Sequence, residues 1–182
     1  MATNARILKA EIQVSDMDRH YYATHALRLA KHPSETDERV MIRMLAFALN
    51  AHPSLEFGRG LSSAEEPDLW QRDDTGLIER WIEVGQPDEQ SIRRACGRAR
   101  EVLVYTYSGR SAQIWWDKNA DALARCRNLS IVDIPADASA ALASLAERKI
   151  SLQCLIQDGH VQLMDPETSV QISPTVRMAP ER

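Results

Sequence analysis

The sequence predicts a single α/β domain in which a mixed sheet is flanked by helices. Three observations carry this. Stretches with a two-residue hydrophobic period alternate with capped stretches of helical period. The block from residue 34 to residue 107 spells helix, strand, strand, strand, helix, strand. Asp158-Gly159, a strong turn signal, then joins two closing strands into a hairpin. At 182 residues the chain is one domain by length, large enough to bury roughly 70% of its unfolded surface.

Taken in order, Leu8, Ala10, Ile12 and Val14 alternate with Lys9, Glu11 and Gln13, the pattern of a half-buried opening strand. A helix from about Asp18 to Ala30 follows, stopped at His32-Pro33 because the residue before proline is pushed out of helical geometry. Ser34 or Thr36 caps the next helix, with Glu35, Asp37 and Glu38 near its positive end. Beyond Arg39 this helix is apolar almost all round, which predicts a central position. Strands are expected at about Leu55–Leu61, Asp68–Arg72 and Leu77–Gly85, the last two joined by the turn Asp73-Asp74-Thr75-Gly76. Asp88 caps a helix to about Arg100, whose buried stripe is Ile92, Ala95, Cys96 and Ala99. Val102–Tyr107 is a continuous apolar run, as in a strand inside a sheet. A helix at Ser111–Cys126, a strand at Leu129–Ile134, an alanine-rich helix at Ala138–Glu147, the hairpin strands Ile150–Gln157 and His160–Met164 and an edge strand at Val170–Ile172 complete the order, with fraying expected over the last ten residues.

The composition is that of a water-soluble protein, 44% hydrophobic and 26% charged. No apolar run is long enough to span a bilayer, and Glu11, Asp16 and Asp18 interrupt the opening stretch, so a cytoplasmic location without membrane association is expected. Cys96, Cys126 and Cys154 are widely spaced with no CxxC pair, and the five histidines form no HExxH-type pair, which argues against a disulfide framework or a zinc site. A net charge of −4 argues against nucleic-acid binding by bulk electrostatics. The distribution is more informative. Of 22 basic residues only Lys9, Lys31, Lys118 and Lys149 are lysines, so the centre of the chain uses arginine alone. Arginine's planar fork suits phosphate and carboxylate, although an arginine-rich proteome produces the same bias.

Chemistry concentrates between Pro67 and Gly85. The turn at residues 73–76 folds Asp68 and Glu83 onto neighbouring antiparallel strands, near enough to share a hard divalent cation. Each has a plainer reading: Asp68 as part of a solvated loop with Glu65 and Glu66, Glu83 as a surface residue beside Glu79. Glu35, Arg39 and Arg43, four residues apart, read as a helix ion-pair row, but Arg43 lies among apolar neighbours and needs a buried carboxylate, for which Glu83 or Glu38 are candidates. Arg93, Arg94, Arg98 and Arg100 lie on or beside the polar face of one helix, with Arg110 following; they read as a solvated face or as a phosphate-tracking patch. Tyr105 and Tyr107 are candidates for base stacking or for core packing, and Trp115-Trp116 cannot both face inward on one helix.

The element order of residues 34–108, with Pro67-Asp68 on the middle strand and Glu83-Val84-Gly85 on the third, resembles the core of the PD-(D/E)XK nuclease superfamily. The whole chain is more specifically similar to the YaeQ family, through HPSETDERVMIRMLA, FGRGL, EPDLW, WIEVGQPDE, YTYSGRSAQIWW and the late IQDG. The superfamily resemblance implies that Asp68 and Glu83, helped by Glu38 or Glu35, hold magnesium or manganese and direct water at a phosphodiester. It also implies a lysine where Gly85 stands, so an arginine would have to substitute: Arg93 or Arg94 by topology, or Arg39 or Arg43. Arg39, Arg93, Arg94, Arg98 and Arg110 are then the candidate nucleic-acid contacts. The alternative is a module without catalysis that uses the same pocket and arginine face to bind a protein or structured nucleic acid. Such a partner is implied, not read from composition.

Overall fold

In a computed structural model, which describes residues 5–59, 65–147 and 149–181, the predicted class holds, but the strands form two mixed sheets rather than one. The first has five strands in the order β10-β9-β8-β1-β2: β1 (Arg6–Asp16), β2 (Tyr21–Lys31), β8 (Lys149–Gln157), β9 (His160–Met164) and β10 (Ser169–Ile172). The second has six in the order β11-β7-β6-β5-β4-β3: β3 (Leu55–Phe57), β4 (Leu69–Arg72), β5 (Ile78–Val84), β6 (Ala99–Thr106), β7 (Leu129–Asp133) and β11 (Thr175–Met178). Between the sheets lie α1 (Asp37–Leu49) and α4 (Ala136–Ala143), within the larger core. Against the far side of the six-stranded sheet lie α2 (Glu89–Arg98) and α3 (Arg110–Leu123), over a second core built on Trp81, Ile92, Val104 and Leu123.

The central position predicted for α1 is observed: every residue from Val40 to Ala48 is buried. Thr36 caps it by accepting a hydrogen bond from the Arg39 amide at 3.1 Å, and Asp37 and Glu38 occupy its first turn. Of the hairpin signals, Asp158 and Gly159 both adopt positive φ, as a type I′ turn demands. In the turn after β4, Asp73 Oδ1 accepts from the amides of Thr75 and Leu77.

Three expectations fail. The helix expected at 18–30 is instead the strand β2, paired antiparallel with β1 from Arg6↔Lys31 to Asp16↔Tyr21 without a slip. Alanines and leucine raise the helical propensity of this stretch, but Leu29 is buried while Tyr22, Thr24, Ala26, Arg28 and Ala30 all point outward, a period of two. Pairing along the whole of β1 overrides the local preference. The reversal sits at residues 17–20, where Asp16 accepts from the amide and guanidinium of Arg19. The fraying expected at the C-terminus is replaced by β11, which pairs with β7 at the sheet edge. Both Trp115 and Trp116 pack, half-buried, against the second core, although the sequence leads one to expect only one of them to face inward.

Candidate functional site

Strands β5, β6 and β7 run parallel, connected through α2 and α3. In such a sheet the loops that leave the carboxyl ends of the strands gather at one end, where they can line a binding site. Here β5 runs out into Gly85 and β6 into Tyr107-Ser108, and the cleft between them, about 440 Å³, is lined by Arg39, Glu83, Val84, Gly85, Tyr107 and Ser108. Helices α2 and α3 begin at these strand ends, so their positive N-termini lie near it. Asp88 caps α2 through its side chain, whereas α3 starts at Gly109 with no side-chain cap.

The acid pair forms as the turn predicts. In the β4–β5 ladder Leu69 opposes Ile82, which brings Asp68, one step before β4, opposite Glu83. Asp68 is no solvated loop residue: it is 3% exposed, and its two oxygens accept from Arg39 Nη2 at 2.7 Å and from the Val84 amide at 2.8 Å. Glu83 is half-buried on the same cleft and accepts from the Trp81 indole at 2.9 Å. Burial, then the charge of Asp68 and a hydrogen bond with it, push the Glu83 carboxyl up to about 7, against the opposing pull of Trp81 and Arg39.

Behind this pair lies a chain of buried charge. Arg39 also donates to Glu35 at 2.6 Å, and Glu35, buried just ahead of α1, receives a two-pronged contact from Arg43 at 2.9 and 2.7 Å. Arg43 is 1% exposed and donates further to the Ala30 carbonyl. The buried carboxylate that Arg43 requires is therefore Glu35, not Glu83 or Glu38. Burial works against the charge of Arg39, but Asp68 and Glu35 outweigh it and hold the guanidinium more firmly charged than usual. Two guanidiniums thus face three carboxyl groups, and Glu83 is the surplus acid.

The guanidinium that reaches the acid pair is Arg39. Arg93 pairs with Glu89 at 3.0 Å on the exposed side of α2, Arg94 is exposed on the same helix, and neither lines the cleft. Arg98 lies over the Trp81 ring at 5.1 Å, and Arg100 contacts Glu79 at 3.4 Å. Arg110 is exposed in the first turn of α3, two residues beyond Ser108 at the cleft. Glu38 accepts from Ser139 Oγ at 3.0 Å, joining α1 to α4. Tyr105 is a core residue whose hydroxyl accepts from Asn50 at 2.8 Å. Tyr107 faces the cleft, its hydroxyl made less acidic by burial, so of the two tyrosines it is the one placed to meet a ligand.

Gly85, where the resemblance read from the sequence implies a lysine, has φ of +100° and donates its amide to the Tyr105 carbonyl at 2.8 Å. A side chain there has open space, so the obstacle is the backbone alone. Gly85→Lys is expected to cost roughly 1–2 kcal/mol in a urea melt, the penalty of a left-handed conformation for a residue with Cβ.

For a divalent cation, the described residues include no group of three or more His, Cys, Asp or Glu arranged to bind one. Two opposed carboxylates nonetheless fit magnesium, which takes one or two protein carboxylates and completes its shell with water and substrate phosphate. The unbalanced acid at Glu83 is the observation in favour, because a cation there would neutralise the surplus charge.

Comparison with known proteins adds the lineage. Residues 1–174 match the family model described as YaeQ protein. The chain is 41% identical over 180 residues to the uncharacterized protein YaeQ of Escherichia coli (strain K12), covering 99% of each, and 42% identical over 180 residues to that of Salmonella typhi, again with 99% of each covered. The crystal structure of the YaeQ protein from Xanthomonas axonopodis pv. citri superposes with a TM-score of 0.95 at 52% identity, over 97% of this chain and 100% of that one. That of the Pseudomonas syringae YaeQ protein gives 0.93 at 31% identity, over 98% of each.

Proposed function

This chain belongs to the YaeQ family, and from that premise we propose that it acts on nucleic acid through a divalent-cation site formed by Asp68 and Glu83, hydrolysing phosphodiesters. The observation that carries the reading is the acid pair itself: two carboxyl groups facing each other at the carboxyl end of parallel strands, one of them charged only at the expense of the other. We read residues 37–106, with helix, three strands, helix and strand, as a variant of the PD-(D/E)XK core. Magnesium or manganese, when bound, would polarise a phosphate oxygen and lower the pKa of a bound water. Asp68 and Glu83 would hold it, and Arg39 keeps Asp68 aimed at the cleft. Arg39 takes the place of the missing lysine in charge only, since a guanidinium cannot accept a proton. The uncapped start of α3 and the Arg110 side chain beside it favour a phosphate on the cleft rim. Arg93, Arg94 and Arg98 would extend the contact along α2.

One observation favours the second reading, a module that binds protein or structured nucleic acid without cutting it. Both oxygens of Asp68 are already engaged, and Gly85 supplies no cation. Cleavage assays separate the two. With magnesium or manganese and single- or double-stranded DNA or RNA, the catalytic reading expects product formation that Glu83→Ala reduces by about two orders of magnitude or more, the loss typical when a metal-supporting group is removed. Salt-sensitive binding with no cutting, unaffected by Glu83→Ala and weakened by replacing Arg93 and Arg94 together, would establish the module instead.

A further inference from the structure

We propose that the outer face of the five-stranded sheet is a docking surface for single-stranded nucleic acid, built on Arg28, Lys9 and Lys149. The site shares no residue with the cleft and stands whether or not the cleft holds a cation.

Alternate residues of β1, β2 and β8 point away from the core, and all four helices lie on the other side of this sheet or beyond it. The pairing registers set these outward residues in rows. Lys9 opposes Arg28 on one side and Lys149 on the other, so three cations stand side by side on adjacent strands. With strands about 4.8 Å apart, all three fall within about 10 Å. None of them makes an ion pair among the described residues. Like charges directly opposite each other destabilise a sheet. Here the row is assembled from two of the chain's four lysines, in a protein of net charge −4. Such a row, with no ion pair to it among the described residues, fits an external anion.

The rows that follow say which anion. Next to the cations come Ala26, Glu11 and Ser151, whose small flanking side chains leave a depression of about 410 Å³. Glu11 is the only acid in it, at its centre. Beyond it come Thr24, Gln13 and Gln153, which offer hydrogen-bond donors and acceptors without charge. The row after that begins with Tyr22, 60% exposed and opposite Ser15. From the cationic row to Tyr22 is six residues along β2, about 20 Å. A cationic end, a polar middle and an exposed aromatic fit a single strand lying along β2, with phosphates at the cations and a base on the ring. A lipid surface would meet polar Gln and Thr where acyl chains require apolar side chains.

The test is fluorescence anisotropy with a labelled oligothymidylate of about 12 nucleotides, long enough to cross the face, in buffer containing EDTA so that nothing is cut. Replacing Lys9, Arg28 and Lys149 together by Gln is expected to weaken binding at least about ten-fold at low salt and to reduce the slope of log K against log salt by about 2, the share of three phosphates on a single strand. Tyr22→Ala should weaken binding about ten-fold with little change in slope, the loss of one stacked base. Glu11→Gln should tighten it, which decides the matter even if the triple variant fails to fold. Cleavage is read separately, with magnesium or manganese, so failure of the cleft and failure of this surface are told apart. Equal affinity and slope in wild type and triple variant would overturn the proposal. So would a wild type that ignores the oligonucleotide and binds phosphatidylserine–phosphatidylcholine vesicles.

Discussion

Glu35→Gln is expected to lower the unfolding free energy by about 3–5 kcal/mol, the usual cost of removing one partner of a buried ion pair. Glu35 holds Arg43 with two hydrogen bonds and Arg39 with a third, so the variant leaves a guanidinium that is 1% exposed facing one neutral amide oxygen and the Ala30 carbonyl in place of a carboxylate. Water cannot replace the lost carboxylate at such a depth. Because a domain of this size is stable by only about 5–15 kcal/mol, the variant should sit close to its unfolding threshold at ambient temperature. Urea denaturation checks it, with the double variant Glu35→Gln/Arg43→Met as control. Replacing both members by uncharged residues should recover much of the loss, since the penalty lies in the unpaired charge rather than in the absent bridge. The loss should also reach the cleft: Arg39 keeps only one of its two carboxylate partners, which loosens the group that orients Asp68.

Glu83→Gln should act in the opposite direction. The folded carboxyl titrates near 7 against an ordinary 4.5, so the folded state holds the proton more firmly than the unfolded chain. Its stabilising contribution is complete below 4.5 and is lost as pH rises through about 7. Wild-type stability measured at pH 8 should therefore lie about 3 kcal/mol below the value this group would allow if it kept its proton. Glutamine preserves the shape and a hydrogen bond to Asp68 while removing the charge. The difference between the urea-derived stabilities of wild type and Glu83→Gln should be small at pH 4.5, widen through pH 7 in favour of the variant, and level off above it. A difference that does not vary with pH would mean that the carboxyl is ordinary. The price of an ionised Glu83 is what a bound cation would remove, so magnesium or manganese should narrow the gap at pH 8.

Much of this was legible in the residues, for reasons that can be named. The turn Asp73–Gly76 fixed the pairing of β4 with β5, and pairing fixes which side chains meet, so Asp68 opposite Glu83 follows from local chemistry. The all-round apolar character of α1 announced its burial between the sheets. The β2 strand was hidden because alanine and leucine favour helix, while what decides the matter is a partner strand, β1, at the start of the chain. That β1 and β8 lie side by side, from opposite ends of the sequence, has no local signature at all; the cationic row on that face was unreadable for the same reason. The identity of the arginine at the acid pair was narrowed to four candidates. The choice of Arg39 depends on how the start of α1 meets the end of β5, a packing matter. Gly85 was visible as a glycine closing a strand, and its φ of +100° is one that favours glycine.

The measurement closest to the centre of the account is manganese binding near pH 6.5, followed by electron paramagnetic resonance of the free ion and by calorimetry in two buffers of different ionisation enthalpy. If Asp68 and Glu83 hold the cation, wild type binds it and releases a large part of one proton as Glu83 ionises, and Glu83→Gln loses both the binding and the proton release. Manganese bound equally well by the variant, or bound by wild type without displacing a proton, would contradict the assignment of the cleft as the metal site.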